Sequence, residues 1–81
     1  MTVVTLYGKP GCHLCDEARA VVARLRAAWD FELREVDITL DPALNRAYAE
    51  RIPVLAVDGV ERFELFVDPD ALSRALDRVQ P

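Results

Sequence analysis

Cys12 and Cys15 lie three positions apart near the start of an 81-residue chain and are its only cysteines. A bond between them closes a very small loop and constrains the unfolded chain little, so a structural staple is the weaker reading. Two other chemistries use such a pair. In thiol–disulfide exchange one sulfur attacks and the other resolves, whereas in metal binding two thiolates supply half of a closed zinc site. The single histidine, His13, sits between the cysteines. One chain therefore falls short of four ligands, and a metal or iron–sulfur carrier would need Cys12 from two copies, or added small thiols. The plainest reading is two small buried hydrophobes, which a pair straddling a helix start after a strand does not favour.

The elements around the pair decide what it can do. Thr2 to Tyr7 (TVVTLY) is a β-branched and aromatic run stopped by Gly8 and Pro10, which predicts a buried strand entering a turn. From Leu14 the apolar residues recur at Ala18, Val21, Val22, Leu25 and Trp29, the spacing of a helix with one buried face. Asp16 and Glu17 in its first turn and Arg24 and Arg26 late suit the helix macrodipole. A helix beginning at Gly11-Cys12 puts Cys12 at its positive end, where free N–H groups favour a thiolate. Lys9, the only lysine beside nine arginines, adds a cation just before the turn. Cys12 is thus the expected attacking sulfur, and Cys15, one turn inside on the same side, the resolving one. His13 either donates to the Cys12 thiolate and tunes the disulfide, or is an exposed helix-start residue.

Phe31 to Ile38 (FELREVDI) alternates and then slips phase, which predicts a strand with an irregularity. Asp41-Pro42 opens a short helix with Leu44, Ala47 and Tyr48 as its stripe, ending near Glu50. Pro53 to Val57 and Val60 to Val67 flank Asp58-Gly59, a hairpin signal with a well-set register. Asp68-Pro69 caps a closing helix whose inward face is Leu72, Ala75, Leu76 and Val79. The order is β-α-β-α-β-β-α in one α/β domain spanning residues 1–81. A β-α-β crossover requires parallel strands and the hairpin antiparallel ones, so a mixed four-stranded sheet with three helices is expected.

Composition excludes several classes. Ten basic against fourteen acidic residues give a net charge of −4 without basic runs, which argues against a nucleic-acid partner. No apolar stretch approaches the ~20 residues that span a bilayer. With 52% hydrophobic and 30% charged residues, order is expected up to the last residue or two. Without an export signal or anchor the expected location is cytoplasmic.

The segment Tyr7-Gly8-Lys9-Pro10-Gly11-Cys12-His13-Leu14-Cys15, with Ile52-Pro53-Val54 before the hairpin turn, resembles a glutaredoxin over nearly the whole chain. Cys12 to Ala18 (CHLCDEA) is similar to a narrower glutaredoxin-like subgroup of unassigned role. The resemblance implies a thioredoxin fold and a monomeric disulfide oxidoreductase without a bound cofactor. Its partners would be disulfide-containing proteins or small thiols, with glutathione or a thioredoxin-type reductase as electron source. It further implies a cis Pro53 beside Cys12, with Ile52 offering its backbone to an extended substrate and Lys9 and His13 lining the approach. One departure stands out. Glutaredoxins usually carry a Gly-Gly pair before the last helix that helps hold glutathione, and here the stretch is Phe66-Val67-Asp68-Pro69-Asp70. Pro69 lacks a donor and the two aspartates add negative charge, so a plain helix cap is the better reading there.

Overall fold

The β-branched opening of the chain forms β1 (Val3–Gly8), in which Val4, Leu6 and Gly8 are buried and the residues between them only partly so. This period of two sends alternate side chains to opposite faces of a sheet. The computed structural model describes residues 1–80; Pro81, at the end where order was expected to give out, lies outside them. After β1 come α1 (His13–Leu25), β2 (Glu32–Asp37), a 3-10 turn (Ile38–Leu40), α2 (Pro42–Tyr48), β3 (Val54–Val57), β4 (Val60–Glu64) and α3 (Pro69–Val79). The strands form one mixed sheet in the order β2-β1-β3-β4. β1 pairs parallel with β2 and antiparallel with β3, which pairs antiparallel with β4. Expected class and element order both hold.

One face carries the main core. Val4, Leu6, Leu55 and Val57 from the sheet meet Ala18 and Val22 of α1 and Leu72 and Leu76 of α3, with Phe31 and Val67 closing the edges. On the opposite face Tyr7 stacks on Tyr48 of α2, with ring centroids 4.7 Å apart. No helix among the described residues is long and apolar enough to cross a membrane.

Several local expectations are corrected. β2 keeps an unbroken register from Val3↔Glu32 to Gly8↔Asp37, because Phe31 precedes the strand and Ile38 belongs to the 3-10 turn. The apparent phase slip came from merging three elements into one. The irregularity lies instead in the hairpin, where the β3/β4 register shifts between Leu55 and Ala56. β4 stops at Glu64, short of Val67, because Leu65 adopts a φ of 67° that no strand accommodates. α1 ends at Leu25, with Trp29 in the turn beyond it, and Leu14 is off its buried face at 44% exposure. α2 stops at Tyr48 with no buried residue, and Val79 is exposed at the last position of α3.

Candidate active site at the start of α1

Gly11 takes a φ of 77°, a region that suits glycine, and turns the chain from β1 into α1. Cys12 then stands as the N-cap in extended conformation, and its Sγ accepts the Cys15 N–H at 3.1 Å. The two cysteines are joined as a disulfide with their Cα atoms 5.2 Å apart. Cys12 is partly exposed, whereas Cys15 is fully buried. That asymmetry follows from the helix: the cap faces outward and the residue one turn in meets the sheet.

What the sheet presents there is Gly8. A Cβ at that position would stand 3.0 Å from Cys15 Sγ and 3.3 Å from Cys15 Cβ, so the missing side chain lets the sulfur lie against β1. In the sequence Gly8 reads only as a strand stop, and the local sign of its packing role is a glycine closing a strand just ahead of a Cys-x-x-Cys.

Around the disulfide, buried Cys15, Ile38 and Ile52 pack with Tyr7, Cys12, Leu44 and Tyr48. Ile38 reaches this cluster through the 3-10 turn, capped by Asp37 Oδ1, which accepts from Thr39 N at 2.9 Å and Thr39 Oγ1 at 2.6 Å. Ile52 arrives on a short segment whose Ile52–Pro53 peptide is cis, as the resemblance implied. Leu65 N–H fastens that segment, donating to Arg51 O at 3.1 Å and Pro53 O at 2.8 Å.

A polar network missed by sequence reasoning holds the same segment from the side. The Arg51 guanidinium donates to Glu61 Oε1 at 2.6 Å, lies 3.5 Å from Glu64 Oε2, and sits over the Tyr48 ring. Tyr48 OH donates to Glu61 Oε2 at 2.9 Å. Arg51 and then the Tyr48 hydroxyl hold the Glu61 carboxyl below the usual carboxylate range, and the bond to Glu61 raises the Tyr48 phenol. The partners come from three elements with no fixed spacing, so no sequence motif marks them.

Of the candidate residues, Cys12, Cys15 and Ile52 share one cluster, with Pro53 buried directly after Ile52. Lys9 is exposed at the rim of a cleft also lined by Gly8, Asp16, Arg19 and Glu35. Arg19 bonds both acids there, at 2.8 Å to Asp16 and 2.5 Å to Glu35. His13 turns to solvent with its side chain 87% exposed and Nε2 3.7 Å from Glu17 Oε1. Among the described residues no three His, Cys, Asp or Glu side chains gather as metal ligands.

Known proteins share this fold. A solution structure of protein Ne2328 from Nitrosomonas europaea superposes with a TM-score of 0.80 at 34% identity, covering 93% of this chain and 91% of that one. The X-ray structure of target protein XcR50 from X. campestris gives 0.77 at 36% identity, covering 95% and 99%. A thioredoxin variant from Halobacterium salinarum gives 0.74 at 26% identity, covering 99% and 75%. An uncharacterised protein of Mycobacterium tuberculosis is 28% identical over 80 residues, 93% of this chain and 82% of its own length. The family model described as Glutaredoxin-like domain (DUF836) matches residues 3–77. With that match spanning the disulfide, the cis-proline segment and most of α3, the chain belongs to the glutaredoxin-like family and is built on the thioredoxin fold.

Proposed function

We propose that this chain is a thiol–disulfide oxidoreductase that reduces disulfides of proteins or small molecules by cycling Cys12 and Cys15. The supporting observation is the asymmetry of the pair: a partly exposed cysteine whose sulfur caps a helix, backed by a fully buried one. In the reduced protein the Cys12 thiolate would keep the Cys15 N–H as donor and face the positive helix end. It attacks one sulfur of the substrate disulfide; that S–S bond breaks and the second sulfur leaves as a thiolate that takes up a proton. Cys15, giving its proton to solvent, then attacks Cys12 Sγ, releases the substrate thiol and closes the Cys12–Cys15 disulfide. Two electrons have passed to the substrate, and an external dithiol or glutathione restores the pair.

Glutathione is the poorer of these donors in our reading. Asp68 Oδ2 already accepts the Ala71 N–H at 3.2 Å as the cap of α3, Pro69 has no N–H, and Asp70 adds charge. Exchange of an aromatic disulfide dye with protein reduced by dithiothreitol and then freed of it tests the main proposal. Cys12→Ser should remove exchange, and Cys15→Ser should hold half of the dye on Cys12 as a mixed disulfide. Exchange surviving in Cys12→Ser, or a brown dimeric protein absorbing as iron and sulfide, would overturn it in favour of other chemistry, the latter of a shared cluster.

A further inference from the structure

Between α1 and the segment leading into α3 lies an apolar groove of 240 Å³ lined by Leu14, Val21, Leu65, Phe66 and Pro69, with Glu17 its one charged wall. Leu14, Leu65 and Phe66 are 44%, 46% and 67% exposed. Single exposed apolar residues are ordinary, but three converging on one groove are not. The backbone shows how they come to be there. Phe66 N–H donates to Glu64 O at 2.7 Å around Leu65 at φ 67°, a γ-turn of the rare positive-φ kind. The same Leu65 N–H is the one bonded to Arg51 and Pro53, so the turn that exposes Leu65 and Phe66 also locks the segment carrying Ile52.

Two of its lining residues are joined to the site through the backbone. Leu14 lies between the two cysteines, and Leu65 is tied to the residues flanking Ile52, which packs with Cys12 and Cys15. Its charge has one sign. Glu17 lines it, Asp68 and Asp70 flank Pro69, and no Lys or Arg lines it among the described residues. Such a rim repels an acidic ligand and attracts a cation.

We infer that this groove docks a protein substrate: an extended segment bearing a bulky apolar side chain and, next to it, a lysine or arginine, close in sequence to the cysteine being reduced. The inference rests on the oxidoreductase reading and names the substrate class of that same site. Helix rise puts Val21 about 14 Å beyond Cys12, the reach of roughly two to four extended residues. Net negative charge makes a second copy of this chain the poorer occupant.

The test uses three short peptides, each with one cysteine held as a mixed disulfide with a nitrothiobenzoate reporter. They differ only beyond that cysteine, carrying Phe-Lys, Ser-Lys or Phe-Glu. Protein reduced by dithiothreitol and freed of it attacks the peptide sulfur, the reporter leaves as a coloured thiolate, and Cys15 releases the peptide thiol. The expected result is a second-order rate constant for reporter release about tenfold higher for Phe-Lys than for Ser-Lys, the worth of one partly buried aromatic side chain. Phe-Lys should also exceed Phe-Glu, by a margin that shrinks with salt. Phe66→Ser and Leu65→Gly should each bring the Phe-Lys to Ser-Lys ratio near one, while Val60→Ser, remote on the hairpin, keeps it. Glycine accepts the backbone of Leu65, so Leu65→Gly separates loss of docking from loss of fold. Equal rates on all three peptides, or a preference surviving in both groove variants, would overturn the docking inference and leave the oxidoreductase standing. So would a dimer in sedimentation that Phe66→Ser dissolves, since a second copy would then fill the groove. Inertness toward every peptide and toward the aromatic dye would instead overturn the oxidoreductase reading, and this inference with it.

Discussion

On the face of the sheet covered by α1 and α3, ten buried residues form one closed apolar cluster without a polar side chain in it. On the other face no residue of α2 is fully buried, and the cluster around the disulfide has only Cys15, Ile38 and Ile52 buried. The first face is held by apolar burial, worth about 1.5–3 kcal/mol for each large side chain. Around the second lies a ring of exposed ion pairs and one Tyr–Glu bond, interactions that contribute little each in water. The disulfide stands where the two meet, with Cys15 against the sheet and Cys12 at the opening. Stability and access are thus assigned to different faces, and the sulfurs draw on both.

The largest effect is expected in the closed face. Leu76, fully buried on α3, should on Leu76→Ala cost about 2–5 kcal/mol by denaturant unfolding. Exchange per folded molecule should change little, and a selective loss of exchange with stability intact would dissolve the division of labour. Next comes the boundary. Gly8→Ala sets a methyl 3.0 Å from Cys15 Sγ, so about 1–3 kcal/mol of overpacking should accompany slower resolution of the mixed disulfide. A neutral Gly8→Ala would mean that β1 does not position Cys15.

Smaller effects sharpen the contrast. Asp68→Ala removes the cap that accepts the Ala71 N–H and should lower stability by about 1 kcal/mol, since α3 packs in the closed core. Asp41→Ala removes the equivalent cap of α2, and because that helix has only partly buried residues its loss should show as faster local hydrogen exchange near Tyr48 more than as a shifted unfolding midpoint. The least effect is expected from Glu61→Gln. The folded carboxyl of Glu61 titrates below its unfolded value because Arg51 and Tyr48 donate to it. Its contribution is therefore present above the ordinary carboxylate pKa and lost as pH falls through the lowered one. Unfolding followed from neutral pH to below about 4 should lose part of its acid slope in Glu61→Gln, and an identical slope would show that the network contributes nothing.

How far the sequence carried the reading differs between these faces. β1, α1, α3 and the Asp58-Gly59 turn were legible because each has a local cause: a β-branched run, a helical period, a cap followed by proline, a turn dipeptide. Cys12 and Cys15 were legible because their spacing and placement at a helix start are themselves local. The bulge at Leu55/Ala56, the end of β4 and the reach of Ile38 were not, since each depends on a partner far along the chain. His13 shows the limit within the motif: sitting between two cysteines left two roles open, and the helix turn sends its side chain to solvent.

By itself, then, the sequence determined the class, the element order and the pair of sulfurs, because periodicity, capping and turn chemistry act over a few residues. Only the tertiary structure decided what surrounds those sulfurs. Gly8 against Cys15, the clamp of Arg51 by Glu61 and Tyr48, and the Leu65–Phe66 turn beside Leu14 join residues from separate elements. Such contacts arise when the sheet brings distant segments side by side, and no local preference of any one segment encodes them.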